Sequence, residues 1–364
     1  MVVILDTNQL YSDWRLSTVY VTALVRYLAA TGNQLVVPRV VVEELVNQYG
    51  EQMQRHIGDV RKGAHTLEVL TGKELPLEGP LASLRAPDEA ARYRKQLMSR
   101  LGVLGIAVTE LPRIAHDRLL AADLSRRKPF SPSGRGYRDA LLWCSVLEAA
   151  AEGTEVTFVS GNSKDFPSDD EGRPAEDLEC WFTDGDGRYG QVRIFRSLKV
   201  FLESKLEEVD PSEIDRLLIA EGRHRRLDVA DLIGEWRESI EAGVNAGLQE
   251  YHREAFEDPS LSWQLEAPEV GDIAVRVVDD DILLVEAQLD FGEVLIDHYV
   301  YRSDAWDPDY QKLSMTEWNE WYYLAQTYMN LSVELSVTFD RTRQQVEDVQ
   351  VTGVQLDSGA FPFW

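Results

Sequence analysis

The chain has 364 residues, 44% of them hydrophobic, and two folded domains are expected because one core rarely exceeds about 250–300 residues. No apolar stretch reaches transmembrane length, and the short opening run ends at Asp6, which excludes a secretory signal. The two cysteines, Cys144 and Cys180, lack the paired spacing of a zinc site or a disulfide framework. We therefore predict a soluble, cytoplasmic protein with no membrane segment.

The formal net charge of −26 is unevenly distributed. Residues 1–200 hold 25 Lys and Arg against 27 Asp and Glu, whereas residues 201–364 hold 12 against 36. We predict two domains with different roles, residues 1–204 and residues 205–364. Because an acidic surface repels phosphates, the second domain is not expected to bind nucleic acid by itself, unless a local basic patch such as Arg223–Arg226 does so.

The first 200 residues alternate β-branched runs with helical patterns. Helical spacing begins near Val19, begins again at Pro38 and resumes over Tyr137–Ala151. The runs that we predict as buried strands are Val2–Leu5, Gln34–Val37, Val156–Val159 and Val192–Phe195. Strands that alternate with helices predict an α/β fold with a parallel sheet flanked by helices.

The second half has a different pattern. About two amphipathic helices are predicted between Lys199 and Phe256, and two later segments alternate apolar and polar residues as half-buried antiparallel strands do: Leu283–Phe291 and Leu331–Phe339. We expect Asp279-Asp280-Asp281 to form a hairpin turn. The aromatic residues Trp306, Trp318, Trp321, Tyr322 and Tyr323 can form a core or a binding surface, and we favour a core. The second half is thus predicted to be an α+β accessory domain for a protein partner, for self-association or for control of the first domain.

Four acidic residues are expected to lie at the edge of the parallel sheet where the carboxyl ends of its strands meet. Asp6 and Asp165 follow strand ends, and Glu44 and Asp139 lie near helix starts that face the same edge. Each acid alone is more often a helix cap or a solvated residue. Together, oxygen ligands at one edge suit hard divalent cations, which assist phosphodiester hydrolysis.

Four segments that contain these acids resemble, in order, the motifs of the PIN-domain nucleases. The resemblance covers about residues 1–200, and the long segment between the second and third motifs is similar to larger bacterial PIN proteins. The segments are Asp6-Thr7-Asn8 after the opening run, Val37–Leu45, Gly136–Leu141 and Val159–Phe166.

The resemblance implies that Asp6, Glu44, Asp139 and Asp165 hold Mg²⁺ or Mn²⁺ and that Asn8 and Asn162 assist around the site. Glu44 is preferred to Glu43 because the family's acid directly precedes a leucine. The implied activity is hydrolysis of a nucleic acid, with RNA ahead of single-stranded or flapped DNA. The alternative is a catalytically silent PIN scaffold that recruits partners through its acidic second half.

A basic loop leads into the third motif. Its cations can hold flanking phosphates of a substrate, or they can simply keep an exposed loop solvated. The residues concerned are Arg126, Arg127, Lys128, Arg135 and Arg138.

Overall fold

The computed structural model describes residues 1–11, 13–74, 83–151, 153–183, 190–210, 229–251, 257–262, 265, 268–303, 305, 314–343 and 345–357. The chain separates into two compact units, Met1–Lys205 and Leu206–Trp364. The basic patch predicted at Arg223–Arg226 and the aromatic residue Trp306 lie outside the described residues. Among the described helices, none combines the length and apolar composition needed to cross a membrane.

The first unit contains a five-stranded parallel sheet, as predicted. Its strands lie in the order β3-β2-β1-β4-β5. They are β1 (Val2–Leu5), β2 (Gln34–Pro38), β3 (Ala107–Thr109), β4 (Val156–Val159) and β5 (Val192–Phe195). The sequence did not predict β3, because this edge strand has three residues and the side chains of Ala107 and Thr109 are exposed.

Helices flank this sheet, which completes the predicted α/β architecture. The described helices are α1 (Val19–Ala30), α2 (Arg39–Thr71), α3 (Ala86–Val103), α4 (His116–Leu124), α5 (Tyr137–Ala150), α6 (Glu176–Thr183) and α7 (Leu198–Lys205). A short 3₁₀ turn, Thr7–Gln9, directly follows β1. The helix starts at Val19 and Tyr137 agree with the sequence prediction. Pro38, predicted in the first turn of the second helix, is instead the last residue of β2 and the N-cap of α2, which begins at Arg39.

The centre of the sheet fixes where functional groups can lie. The chain leaves β1 for β2 on one side and later returns to β4 on the other side of β1. The aromatic rings of Trp143, Phe158 and Phe166 pack under this point, and the Phe158 and Phe166 rings are 4.9 Å apart. Such a reversal of strand order leaves a crevice at the carboxyl ends of the two central strands.

The described part of the second unit contains an antiparallel sheet and a long helix that is kinked at Trp236, in agreement with the predicted α+β class. Its seven strands include the order β10-β11-β9-β8-β6, with β12 paired to β11 and β7 paired to β9. The elements are β6 (Glu207–Val209), α8 (Val229–Tyr251), β7 (Glu257–Leu261), β8 (Glu269–Val277), β9 (Ile282–Tyr301), β10 (Ser314–Glu317), β11 (Tyr322–Asp340) and β12 (Gln345–Asp357).

The core of the second unit follows the predicted alternation. Leu289 on β9 lies opposite Val333 on β11, and both side chains are buried. The turn at Asp279–Asp281 joins β8 to β9, which confirms the predicted hairpin. The prediction that the aromatic residues form a core was wrong for Trp318 and Trp321, which are 58% and 66% exposed.

Helix α8 lies unusually close to strand β12. A Cβ atom added to Gly243 would lie 2.8 Å from the Val351 side chain, and one added to Gly247 would overlap Val354. Between these glycines, Val244 is fully buried in the core. The two glycines therefore permit a close contact between α8 and β12, and any larger residue at these positions would push the helix away from the strand.

Candidate functional site

Asp6 lies at the centre of the candidate site. It follows β1 directly and caps the Thr7–Gln9 turn, and its side chain is 6% exposed. The carboxylate accepts hydrogen bonds from the Thr7 amide at 2.6 Å, the Asn8 side chain at 2.7 Å and the Ser160 hydroxyl at 2.6 Å. Ser160 directly follows β4, so its bond to Asp6 joins the ends of the two central strands.

Burial raises the pKa of Asp6 to about 6, although the hydrogen bonds from Ser160 and Thr7 lower it. The negative charges of Asp139 and Glu44 add to the rise. These three carboxylates come from separate segments of the chain, and they are close enough to repel one another.

Glu44 lies on the site side of helix α2. Its carboxylate accepts a hydrogen bond from the Thr7 hydroxyl at 3.0 Å and forms an ion pair with Arg138 at 2.8 Å. Glu43 points elsewhere: it binds Arg94, with one oxygen 2.8 Å from the guanidinium, and also pairs with Arg39. The hydrogen bond from Arg94 is the main reason why the pKa of Glu43 is lowered.

Asp139 lies in the first turn of helix α5, and the chain reaches that helix through Gly136. The φ angle of Gly136 is +120°, and an added Cβ atom would lie 2.5 Å from the Pro129 carbonyl oxygen. Burial raises the pKa of Asp139, and the charges of Asp165 and Glu44 raise it further. The glycine thus lets the loop turn tightly enough to bring Asp139 to the other acids.

Asp165 and the two predicted asparagines, Asn162 and Asn8, complete the candidate site. Asn162 donates to Asp165 at 3.0 Å and accepts from the Asp165 amide at 3.2 Å. Asn8 donates to Asp6 and accepts from the Gly161 amide at 3.1 Å, so both predicted asparagines orient groups around the acids. The Asp165 Oδ1 atom is buried without a hydrogen-bond partner among the described residues, and the Lys128 ammonium lies 3.7 Å away.

The donor set fits a hard divalent cation in its chemistry. Four carboxylates offer oxygen atoms of the type that such a cation binds, two of them have raised pKa values, and one buried oxygen has no hydrogen-bond donor among the described residues. In their present rotamers, no three acidic, histidine or cysteine side chains among the described residues are arranged as a metal site. Lys128 and Arg138 instead pair with Asp165 and Glu44.

The cations of the predicted basic loop do not all face the same way. Arg126 pairs with Asp123 at 2.6 Å, and Lys128 donates to the Lys164 carbonyl at 2.6 Å as well as pairing with Asp165. Arg135 is exposed, and Arg127 is partly buried. The loop therefore places two cations against the site acids and leaves Arg135 facing solvent.

Ser160 and Thr7 are site residues that sequence reasoning did not select. Ser160 is fully buried and binds Asp6, while the Thr7 hydroxyl links Glu44 to the end of β1. Both lie inside the motifs Asp6-Thr7-Asn8 and Val159–Phe166, and that position in the motifs is the sequence signal that could have identified them.

A family model described as PIN domain matches residues 3–166. This span contains all four predicted acids. No curated protein and no solved structure gives a significant match to the chain.

Proposed function

Since residues 3–166 form a PIN domain, a nuclease-type domain that is usually metal-dependent, we propose that this chain is a metal-dependent nuclease that hydrolyses phosphodiester bonds. The metal is Mg²⁺ or Mn²⁺, and its ligands are Asp6, Glu44, Asp139 and Asp165. RNA is proposed ahead of single-stranded or flapped DNA on the family resemblance. The acidic second unit is proposed as an accessory domain.

The electrostatic coupling of the four acids carries this proposal. The charges of Glu44 and Asp139 raise the pKa of Asp6, and the charges of Glu44 and Asp165 raise the pKa of Asp139. A folded protein gains nothing from crowding buried carboxylates unless a cation or proton compensates their charge. Such crowding at a strand switch point supports a functional site, because strained charge clusters concentrate there.

The residues around the acids have separable tasks. Ser160, Thr7 and Asn8 orient the carboxylates of Asp6 and Glu44. A divalent ion bound there supplies a water nucleophile and stabilises negative charge on the phosphate. We propose that Arg135, which is exposed on the loop before Asp139, holds a flanking phosphate of the substrate.

A silent scaffold is the second candidate. The pairing of Glu44 with Arg138 and of Asp165 with Lys128 favours it, because these cations occupy two of the acids that a metal would need. In that case the site would be stable without metal, and recruitment through the acidic unit would be the function.

The deciding experiment is incubation of the purified full chain with labelled single-stranded RNA, single-stranded DNA and flapped DNA. Each substrate is tested with Mg²⁺, with Mn²⁺ and with EDTA. Cleavage that needs metal supports the nuclease, and cleavage of none of these substrates supports the scaffold.

Asp139→Asn gives the matching variant, and Asp117→Asn is its control because Asp117 is an exposed acid in the first turn of helix α4. We expect Asp139→Asn to lose at least about a hundredfold in rate, and Asp117→Asn to keep it. Without metal, the thermal midpoint of Asp139→Asn should not fall, since the substitution removes a repelling charge. Full activity in a folded Asp139→Asn protein would refute this ligand assignment.

A further inference from the structure

Aromatic side chains are exposed at one end of the antiparallel sheet in the second unit. Trp318 is 58% exposed, Trp321 is 66% exposed and Tyr301 is 44% exposed. Tyr299 and Tyr322 lie between them. We call these five residues the aromatic tip. Exposed clusters of large aromatic residues mark interaction sites far more often than scattered single ones do.

The aromatic tip is held in place by the β10–β11 turn. The Asn319 side chain accepts hydrogen bonds from the Trp321 and Tyr322 amides at 2.8 and 2.9 Å, and the Trp318 amide donates to the Tyr322 carbonyl at 3.2 Å. Tyr322 lies opposite Tyr301 across the β9–β11 ladder. A turn fixed by these bonds presents its rings with little entropy left to lose on binding.

Four of the five rings, those of Tyr299, Tyr301, Trp318 and Tyr322, form one connected set. The ring centroids of Tyr301 and Tyr322 are 4.5 Å apart, and those of Tyr299 and Trp318 are 5.6 Å apart. Aromatic faces carry negative charge density, so they attract cations as well as apolar groups.

The charge around the aromatic tip is acidic. Glu317 and Glu320 are exposed beside Trp318, and the carboxylate of Glu320 accepts a hydrogen bond from the Trp321 indole at 3.1 Å. The cation Arg302 is already engaged: it pairs with Glu317 at 3.1 Å and lies 5.0 Å from the Tyr323 ring centroid. Arg302 and Tyr323 lie on the opposite face of the β9–β11 ladder from Tyr301 and Tyr322, and they show, beside the aromatic tip, how a guanidinium is held between a carboxylate and an aromatic ring.

We propose that the aromatic tip is a docking site for an arginine- and lysine-rich segment of a partner protein. The occupant is chosen by charge complementarity, because residues 201–364 hold 36 acids against 12 basic residues. Stacked nucleobases would suit the rings but not the surrounding field, which repels phosphates. The proposal concerns the second unit alone and does not depend on the nuclease activity of the first.

The test uses a short fluorescein-labelled peptide of alternating Arg and Gly, with an alternating Glu and Gly peptide as the reference. Binding to the full chain is followed by fluorescence anisotropy at physiological salt. We expect the basic peptide to bind and the acidic peptide not to bind. The double variant Trp318→Ala with Trp321→Ala should weaken binding by about tenfold, since it removes two rings that attract cations.

The charge control is Glu269→Gln with Asp272→Asn, which removes two exposed acids of strand β8 and no ring. We expect this variant to change the affinity less than twofold. The conservative pair Trp318→Tyr with Trp321→Tyr should keep most of the affinity, and it remains informative if the alanine variant does not fold.

Four outcomes would overturn the proposal. One is no binding of the basic peptide to the unmodified chain, and another is equal weakening by the aromatic and charge variants, which would show a diffuse field. A third is a dimer in sedimentation velocity that only the aromatic variants dissociate, which would assign the aromatic tip to a second copy of this chain. The fourth is binding of labelled single-stranded RNA that the aromatic variants abolish.

Discussion

The two units place their polar groups in opposite ways. In the first unit, buried acids and their hydrogen-bonding partners are gathered at one edge of a parallel sheet, where β1 and β4 end. In the second unit, apolar residues alternate inward along the long strands β9 and β11, and charge covers the exterior. A parallel sheet brings loops from distant segments to one edge, whereas an antiparallel hairpin such as β10–β11 keeps neighbours in sequence together. The difference explains why a composite site belongs to the first unit and a local aromatic surface to the second.

The largest expected effect tests the gathering of acids in the first unit. Glu44→Gln should lower the cleavage rate by about two to three orders of magnitude, because the carboxylate beside Thr7 loses its charge. Glu43→Gln should change the rate less than twofold, since Glu43 pairs with Arg94 instead. Single-turnover cleavage with Mn²⁺ measures both. A lower cleavage rate in Glu43→Gln together with a normal rate in Glu44→Gln would show that Glu43, and not Glu44, belongs to the site.

The next largest effect concerns the burial of a histidine, His298, inside the second unit. His298 is 1% exposed, and burial lowers its pKa to about 4. The unfolded chain takes up this proton near pH 6.5, so the stability due to neutral His298 is complete above that pH and is lost as the pH falls toward 4. The linked loss reaches about 3 kcal/mol.

Urea unfolding near neutral pH and near pH 5 measures this loss, with hydrogen exchange of the β9 amides reporting on the second unit. In His298→Leu the loss on acidification should be smaller. The control is His116→Gln, which removes an exposed histidine of the first unit and should leave the pH dependence unchanged. An identical pH dependence in all three proteins would refute the buried-histidine explanation.

A smaller effect tests the close contact between helix α8 and strand β12. Gly247→Ala should destabilise the second unit by about 1–3 kcal/mol through overpacking against Val354, which exceeds the gain of about 1 kcal/mol in helix propensity. Gly234→Ala is the control in the part of α8 before the kink at Trp236, because no atom of the described residues lies within 4 Å of its added Cβ. Thermal unfolding compares the two. A higher midpoint for Gly247→Ala than for Gly234→Ala would contradict the contact.

The smallest effect concerns the basic loop. In the Asp139→Asn background, which keeps the substrate intact, Arg135→Gln should reduce the salt dependence of RNA binding by roughly one phosphate contact. Arg126→Gln should change it less, because Arg126 is held by Asp123. Binding titrations across a range of salt concentrations measure the slope. Equal slopes for Arg135→Gln and the parent would indicate that Arg135 makes no phosphate contact and that the loop is simply solvated.

Local sequence patterns predicted the framework of the first unit well. Val156–Val159 and Val192–Phe195 are strands with the predicted bounds, because short β-branched runs between turn residues have few alternatives. Strand β3 was missed because an exposed edge strand carries no apolar run. Ser160 was not selected either, since its partner Asp6 is distant in sequence and a serine after a strand looks like an ordinary turn residue.

The aromatic residues of the second unit show another limit of prediction from local sequence patterns. Trp318 and Trp321 were expected in a core because large aromatic side chains are usually buried. Their exposure follows from the β10–β11 turn, which the sequence does not mark with glycine or proline. The roles of the four acids as metal ligands, and of the loop cations as phosphate contacts, stay predictions.

The bond between Ser160 and Asp6 has a consequence for the order of events during synthesis. Asp6 emerges from the ribosome early, but its partner Ser160 and the neighbouring acid Asp165 follow only after strand β4. A nascent chain that ends before Val156 has β1 without its β4 neighbour, so the crevice between them does not yet exist. Long-range strand pairing of this kind is completed late in folding. The proposed metal site, which needs both Asp6 and Asp165, therefore cannot be assembled until most of the first unit has been made.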